Sequence, residues 1–98
     1  RLTHRCEMVH LKDFYVRTRD PRDSTQFDCG GNGFRSRGGK YLRGAILGQG
    51  DLDVYTAMKA LKDAGYQGNI AIEFEGMEEP AYSSAVSLMN ARRIWDEV

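Results

Sequence analysis

The sequence has few prolines and cysteines, no excess of charge of either sign and no long apolar run. Proline and cysteine occur twice each in 98 residues, and 14 basic side chains balance 14 acidic ones. Zero net charge excludes a global electrostatic field that would recruit nucleic acid or an anionic membrane surface. No apolar run approaches the roughly 20 residues that a membrane-spanning helix needs. The composition therefore disfavours a membrane protein, and also a nucleic-acid-binding protein that works through its overall charge.

Cysteine usage narrows the expected compartment. Cys6 and Cys29 do not form the CxxC pair that is typical of a metal site. Residues 1–6 lead into no long apolar segment, so we expect no signal peptide. Cysteines in a chain without an export signal are mostly reduced. We therefore expect two free thiols and a cytoplasmic location, with a disulfide between Cys6 and Cys29 as the alternative.

What is present is a pattern of alternating strands and helices in one small domain. Hydrophobic residues make up 41% of the chain, which is enough for a core. Apolar patterning predicts strands at about 7–14 and 69–75. Amphipathic spacing and capping residues predict helices at about 53–64 and 80–97. Strand, helix, strand, helix is the unit of an α/β protein with a parallel sheet. The inner face of the second helix is expected to consist of Ala81, Ala85, Leu88, Met89 and Trp95.

A long glycine-rich loop, residues 15–50, separates the first strand from the first helix. It holds eight of the 11 glycines, and residues 17–43 contain seven basic side chains against three acidic ones. A structureless loop of this length is uncommon in a compact domain. Residues 41–47 are apolar enough to dock as part of a short hairpin. Gly31–Gly39 is similar to an RNA-binding arginine-glycine tract, although a solvated loop is the default interpretation.

The ends of the two strands carry the residues that could perform chemistry. In parallel sheets, functional groups collect where strands end and loops begin. His10 and Lys12 share one face of the first strand, and Asp13 follows at its end. A single histidine on a strand is more often structural than a metal ligand. Three polar groups at the end of a buried strand are nevertheless costly unless they are used.

Two carboxylates occupy the corresponding place on the second strand. Glu73 and Glu75 alternate onto one face with Ala71, while the apolar residues between them point to the other face. If the carboxylate face lines a barrel, an inward carboxylate must be paired, protonated or bound to a metal. The alternative is that both glutamates are solvated beyond the strand end, and spacing alone does not separate the two.

A glycine pair precedes the first helix. In Gly48-Gln49-Gly50, backbone N–H groups at a helix N-terminus could hold a phosphate or another anion. Because a lone GxG is weak evidence, a simple turn is the favoured interpretation.

Four segments, taken in order, resemble the C-terminal part of the sugar phosphate isomerases and epimerases, which are xylose isomerase-like TIM barrels. The segments are His10–Asp13, Leu47–Asp53, Leu61–Gly68 and Ile72–Glu79. The resemblance covers nearly all of residues 7–97. It implies that 7–14 is the seventh barrel strand and 69–75 the eighth, so that the chain is a βαβα fragment of the barrel.

The resemblance also implies a metal site. In the family, carboxylates and a histidine on different strands hold a divalent metal. His10 matches the histidine, and Glu73 matches the last-strand glutamate, which can also act as the proton-transferring base. Arg43 resembles the arginine that binds substrate oxygens. The other candidates beside the site are Lys12, as a second substrate-binding residue, Asp13 and Glu75.

The chemistry of such a site is physically reasonable. Oxygen ligands and one imidazole suit Mn²⁺, Mg²⁺, Co²⁺ or Zn²⁺. A metal that bridges a carbonyl and the adjacent hydroxyl acidifies the C–H bond between them. A TIM barrel takes about 250 residues, so this chain would supply only the last two strand–helix units and would lack two of the expected ligands. We therefore expect a fragment of a sugar or sugar phosphate isomerase/epimerase that holds metal weakly or not at all and is not active alone.

Two other interpretations remain open. The chain could be a non-catalytic homo-oligomeric α/β module, or a module whose basic loop binds RNA or an acidic partner. Self-association is expected because a two-stranded parallel ribbon leaves its edges open. Nucleic acid is the less favoured partner, and no membrane contact is expected.

Overall fold

The computed structural model describes residues 6–18, 33–35 and 38–98, which form a small mixed α/β domain. Cys29 and residues 31, 32, 36 and 37 of the predicted arginine-glycine tract lie outside the described residues. No helix in the described part of the chain is long and apolar enough to cross a membrane. The elements in chain order are β1 (Met8–Leu11), β2 (Asp13–Arg17), β3 (Gly33–Arg35), β4 (Tyr41–Ala45), α1 (Val54–Asp63), β5 (Asn69–Ile72) and α2 (Pro80–Glu97).

The two predicted strands lie side by side. β1 and β5 form a two-stranded parallel sheet in which Val9 is opposite Ile70 and Leu11 is opposite Ile72. These four residues share one face and pack on the core between the sheet and the helices. The other face carries His10 opposite Ala71. The pairing therefore separates an apolar face under the helices from a polar face that carries the candidate site. The core residues are Leu11, Leu47, Val54, Met58 and Ala91, with Val9, Ile70, Ile72, Ile94 and Trp95 packed around them.

α1 has sharp ends. The helix predicted at about 53–64 is observed at Val54–Asp63, and the Asp53 side chain caps it by accepting the Thr56 N–H at 3.0 Å. Gly65 follows with φ of +74°, a conformation that ends helices readily only for glycine. Val54 and Met58 are buried one turn apart and dock the helix on the core.

α2 docks through small and polar residues, so the predicted inner face of this helix is wrong except at Trp95, which packs against the core. Its buried residues are Ser83, Ser87 and Ala91. The Leu47 N–H donates to Ser87 Oγ at 3.0 Å, and Asn90 donates to the Leu47 carbonyl at 2.8 Å. These bonds hold the helix on the backbone that follows β4, which rotates the large apolar residues outward. Of the residues predicted to face inward, Trp95 is half-buried and four are exposed: Ala81, Ala85, Leu88 and Met89.

The predicted loop 15–50 is also corrected, because its described parts contain strands. β2, β4 and β3 form an antiparallel sheet in that order, with Val16 opposite Leu42 and Leu42 opposite Phe34. The predicted strand 7–14 divides at Lys12, where the chain leaves the parallel sheet and enters the antiparallel one. The two-residue alternation of apolar side chains continues through β2, so this alternation alone could not show where the strand changes the strand it pairs with. The predicted strand 69–75 is shorter as well, since β5 ends at Ile72.

Candidate functional site

Four charged or ionisable side chains gather at the C-terminal end of the parallel sheet. His10 and Lys12 come from β1 and the residue after it, and Glu73 and Glu75 from the extension of β5. The Glu73 N–H donates to the Leu11 carbonyl at 3.0 Å, which carries the strand pairing one residue beyond β5. Because side chains alternate between the two faces of the sheet along both strands, all four project from the face opposite the core.

Their contacts form a chain of one hydrogen bond and two ion pairs. His10 Nδ1 contacts Glu73 Oε1. Lys12 Nζ lies 3.0 Å from Glu73 Oε2 and 2.7 Å from Glu75 Oε1. The side-chain exposures are 55% for His10, 37% for Lys12, 33% for Glu73 and 45% for Glu75. Glu73 is the central member of the four, because both of its carboxylate oxygens are engaged. It is also the least exposed of them.

The electrostatics favour the charged forms of the central pair. Hydrogen bonds from Lys12 and then His10 lower the pKa of Glu73 below its usual value. Hydrogen bonds to Glu75 and then Glu73 raise the pKa of Lys12 above its usual value. At neutral pH the site thus presents a carboxylate that is held ionised by an ammonium on the neighbouring strand.

The donor set fits part of a divalent metal site. An imidazole and a carboxylate from adjacent strands already point at one another, and both are ordinary ligands of transition metals. The described residues contain no group of three or more histidine, cysteine or carboxylate side chains placed to hold one ion. His10 and Glu73 could therefore supply two ligands, and the remaining ligands would have to come from elsewhere.

Asp13 lies away from this cluster and has a different partner. Its side chain is buried, at 2% exposure. Asp13 Oδ2 accepts the N–H groups of Gly48 at 3.0 Å and Gly50 at 2.9 Å, while Oδ1 accepts that of Leu52 at 3.2 Å and that of Phe14 at 2.8 Å. The amides of the glycine pair thus bind a carboxylate of the chain itself, which agrees with the turn interpretation of this motif.

Two glycines make close approaches that fix this arrangement. A Cβ at Gly50 would overlap the Asp13 carboxylate. A Cβ at Gly44 would overlap the backbone of Glu75 and Gly76, so β4 lies directly against the segment after β5. This contact joins the antiparallel sheet to the segment that carries Glu75.

Arg43 lies on β4 beside that contact. Its guanidinium is 4.6 Å from the centre of the Tyr15 ring, and one of its nitrogens is 4.0 Å from Glu78 Oε2. Another nitrogen lies 3.7 Å from Met77 Sδ. The structure therefore places Arg43 against Tyr15 and the segment after Glu75, and the contacts it describes do not join Arg43 to His10 or Glu73.

Comparison with family models, with curated proteins and with solved structures gives no match. The geometry of the site therefore carries the functional argument.

Sequence reasoning missed two residues near the site. Tyr15 supports the Arg43 guanidinium from β2, and Glu78 faces it from the segment after β5. The register of β2 on β4 places Tyr15 opposite Arg43. That register was not foreseeable, because the alternating residues of β2 looked like the continuation of β1.

Proposed function

We propose that the chain contributes the last two strand–helix units of a divalent-metal-dependent isomerase or epimerase that acts on a sugar or sugar phosphate. The observation that carries the proposal is the contact between His10 and Glu73 at the C-terminal ends of adjacent parallel strands. In α/β barrels this end of the strands holds the active site. The resemblance of the four sequence segments to the sugar phosphate isomerases and epimerases supports the same reaction class.

The layered packing is compatible with a barrel wall. Both helices lie on the apolar face of β1 and β5, and the polar face is left open. In a barrel, helices cover the outer face of the strands and the inner face lines the interior. On this proposal, further strands pair with the outer edges of β1 and β5, and their ends supply the ligands that the described residues lack.

In the proposed reaction Glu73 is the proton-transferring group. Its carboxylate is ionised at neutral pH, as a base must be before it accepts a proton from a carbon; the contact with Lys12 lowers its pKa and so makes it a weaker base than an ordinary glutamate. His10 orients one carboxylate oxygen and Lys12 the other, which limits rotation of the side chain. A divalent metal bound there would polarise the substrate carbonyl and acidify the neighbouring C–H bond. Arg43 and Lys12 are the proposed contacts to substrate oxygens.

The test is metal binding by matched variants of the chain. Calorimetric titration with Mn²⁺ and Zn²⁺ should show weak binding to the wild type, because two protein ligands leave most of the coordination shell to water. His10→Ala and Glu73→Gln should each abolish the binding, whereas the control Glu75→Gln should retain most of it. Binding that is lost in Glu75→Gln and kept in Glu73→Gln would show that the wrong carboxylate has been chosen.

Complete absence of binding, in wild type and variants alike, would favour the non-catalytic α/β module. Salt-sensitive retention of single-stranded RNA would favour the basic-loop module instead. A second readout addresses the chemistry itself. Incubation of a ketose phosphate with the chain and Mn²⁺ in D₂O should give no deuterium at the carbon next to the carbonyl, because the rest of the barrel is missing. Exchange that Glu73→Gln removes would show that the two units are sufficient.

A further inference from the structure

The Lys12 ammonium lies between the two carboxylates of the candidate site. Its Nζ atom is 3.0 Å from Glu73 Oε2 and 2.7 Å from Glu75 Oε1. The two glutamates follow β5 on one face, and Lys12 reaches both of them from the residue after β1. A cation of the chain itself therefore already neutralises the carboxylate that a divalent metal ion would need.

The charge left at the site is small. Two carboxylates and one ammonium leave one negative charge when the His10 imidazole is neutral. A metal ion held by His10 and Glu73 would share the Glu73 carboxylate with the ammonium, one cation on each oxygen. Because the Coulomb energy grows with the product of the charges and falls with their separation, a divalent ion and an ammonium so placed repel each other strongly.

We propose that Lys12 competes with the divalent metal ion for Glu73, and that its ammonium moves to Glu75 alone when the metal binds. The inference rests on the proposed function, because it concerns the metal centre assigned to His10 and Glu73. The movement is small, since the ammonium is already nearer to Glu75 than to Glu73. Glu75 thus has a role without being a metal ligand, because it keeps the displaced ammonium at the site.

This competition also accounts for the second role proposed for Lys12. An ammonium has three hydrogen-bond donors, and two carboxylates engage it in the structure. Once it leaves Glu73, it has a further donor for a substrate oxygen. Lys12 would then contact the substrate only at a site that holds metal.

The alternative is that Lys12 merely orients Glu73 as an outer partner of a metal ligand. Loss of such a partner usually lowers metal affinity by about 10–100-fold. Loss of a competing cation has the opposite effect, because the carboxylate is freed and the site becomes more negative. The direction of the change in affinity therefore separates competition from orientation.

Mn²⁺ binding to the full chain, followed by the EPR signal of the free ion, measures this direction. Lys12→Met and Lys12→Gln remove the charge from a partly exposed side chain, and each should bind Mn²⁺ about tenfold or more tightly than the wild type. Lys12→Arg keeps the charge and should stay close to the wild type. Lys59→Met is the matched control, because it removes an exposed ammonium that pairs with Asp63 at 3.1 Å on α1 and should leave the affinity unchanged.

The outcomes separate this inference from the proposed function. Equal or weaker binding in Lys12→Met and Lys12→Gln, beside a wild type that binds Mn²⁺, would overturn the competition and leave the metal centre standing. An equal gain in Lys59→Met would also overturn it, because overall charge would then be the cause. So would a gain in Lys12→Met that persists when Glu73→Gln is added, because the ion would then be held elsewhere. No binding in the wild type or any variant would overturn the competition and the proposed metal centre together.

Discussion

Replacing Asp13 by alanine should destabilise the domain more than any change at the candidate site. The carboxylate is 2% exposed and accepts four backbone N–H groups, from Phe14, Gly48, Gly50 and Leu52. Gly48 and Leu52 are exposed residues, so water can replace the carboxylate at their amides. Two bonds then remain to be lost, each worth about 1.5–3 kcal/mol for a charged acceptor.

The sum for these two bonds is about 3–6 kcal/mol, and relief from burying the carboxylate brings the expected loss toward about 3 kcal/mol. With a urea dependence of about 1–3 kcal/mol per molar, the unfolding midpoint should fall by about 1–3 M. Circular dichroism at increasing urea concentration measures this shift. Asp13→Asn should lose about half as much, since the amide keeps one acceptor oxygen.

Asp63→Ala is the matched control. Asp63 is an exposed carboxylate that pairs with Lys59 at 3.1 Å along α1, and such pairs contribute about 0.5 kcal/mol or less. Equal midpoints for Asp13→Ala and Asp63→Ala would refute the view that the buried carboxylate organises the loop between β4 and α1.

Three further predictions concern other parts of the domain. Hydrogen bonds from Thr56 lower the pKa of Asp53, so the stability that Asp53 contributes is present above the ordinary carboxyl pKa and is lost as pH falls through the lowered value. The urea midpoints of wild type and Asp53→Ala should therefore converge between neutral pH and about pH 2. Lys12→Met should raise the pKa of Glu73, as followed by ¹³C NMR of its carboxyl carbon, because the first cause of its lowering is removed; an unchanged titration would show that the ammonium does not reach it in solution. Ser87→Ala should cost about 1–3 kcal/mol of unfolding free energy, because it leaves a buried backbone N–H unpaired, and a midpoint like that of the wild type would mean that water enters there.

The sequence was most informative where capping and periodicity agree. Asp53 and Gly65 bound α1, and Pro80 marks the start of α2, because each residue type suits one position at a helix end. The face shared by His10 and Lys12 followed from the two-residue period of a strand, and the structure places both side chains beside Glu73.

The rest depended on long-range partners that a single sequence does not reveal. Ser87 and Asn90 are polar, so nothing in their type predicted that they would face the backbone at Leu47. Asp13 looked like a site residue because it follows His10 and Lys12 at the end of the predicted strand. The sequence does not show that its carboxylate instead accepts the N–H groups of Gly48 and Gly50, which lie 35 and 37 residues later. The division between β1 and β2 at Lys12 was hidden for the same reason.

The pairing of β1 with β5 has a consequence for biosynthesis. Each residue of β1 pairs with a residue 61 positions further along the chain, as Met8 does with Asn69 and Leu11 with Ile72. Translation at about 5–20 residues per second leaves β1 without this partner for about 3–12 s after it has been made. During this interval an apolar strand has both edges open, which is the condition for mispairing between nascent chains. The slowest and most error-prone step in making this domain should therefore be the arrival of β5, and a holding chaperone that covers residues 8–11 should raise the yield of folded protein.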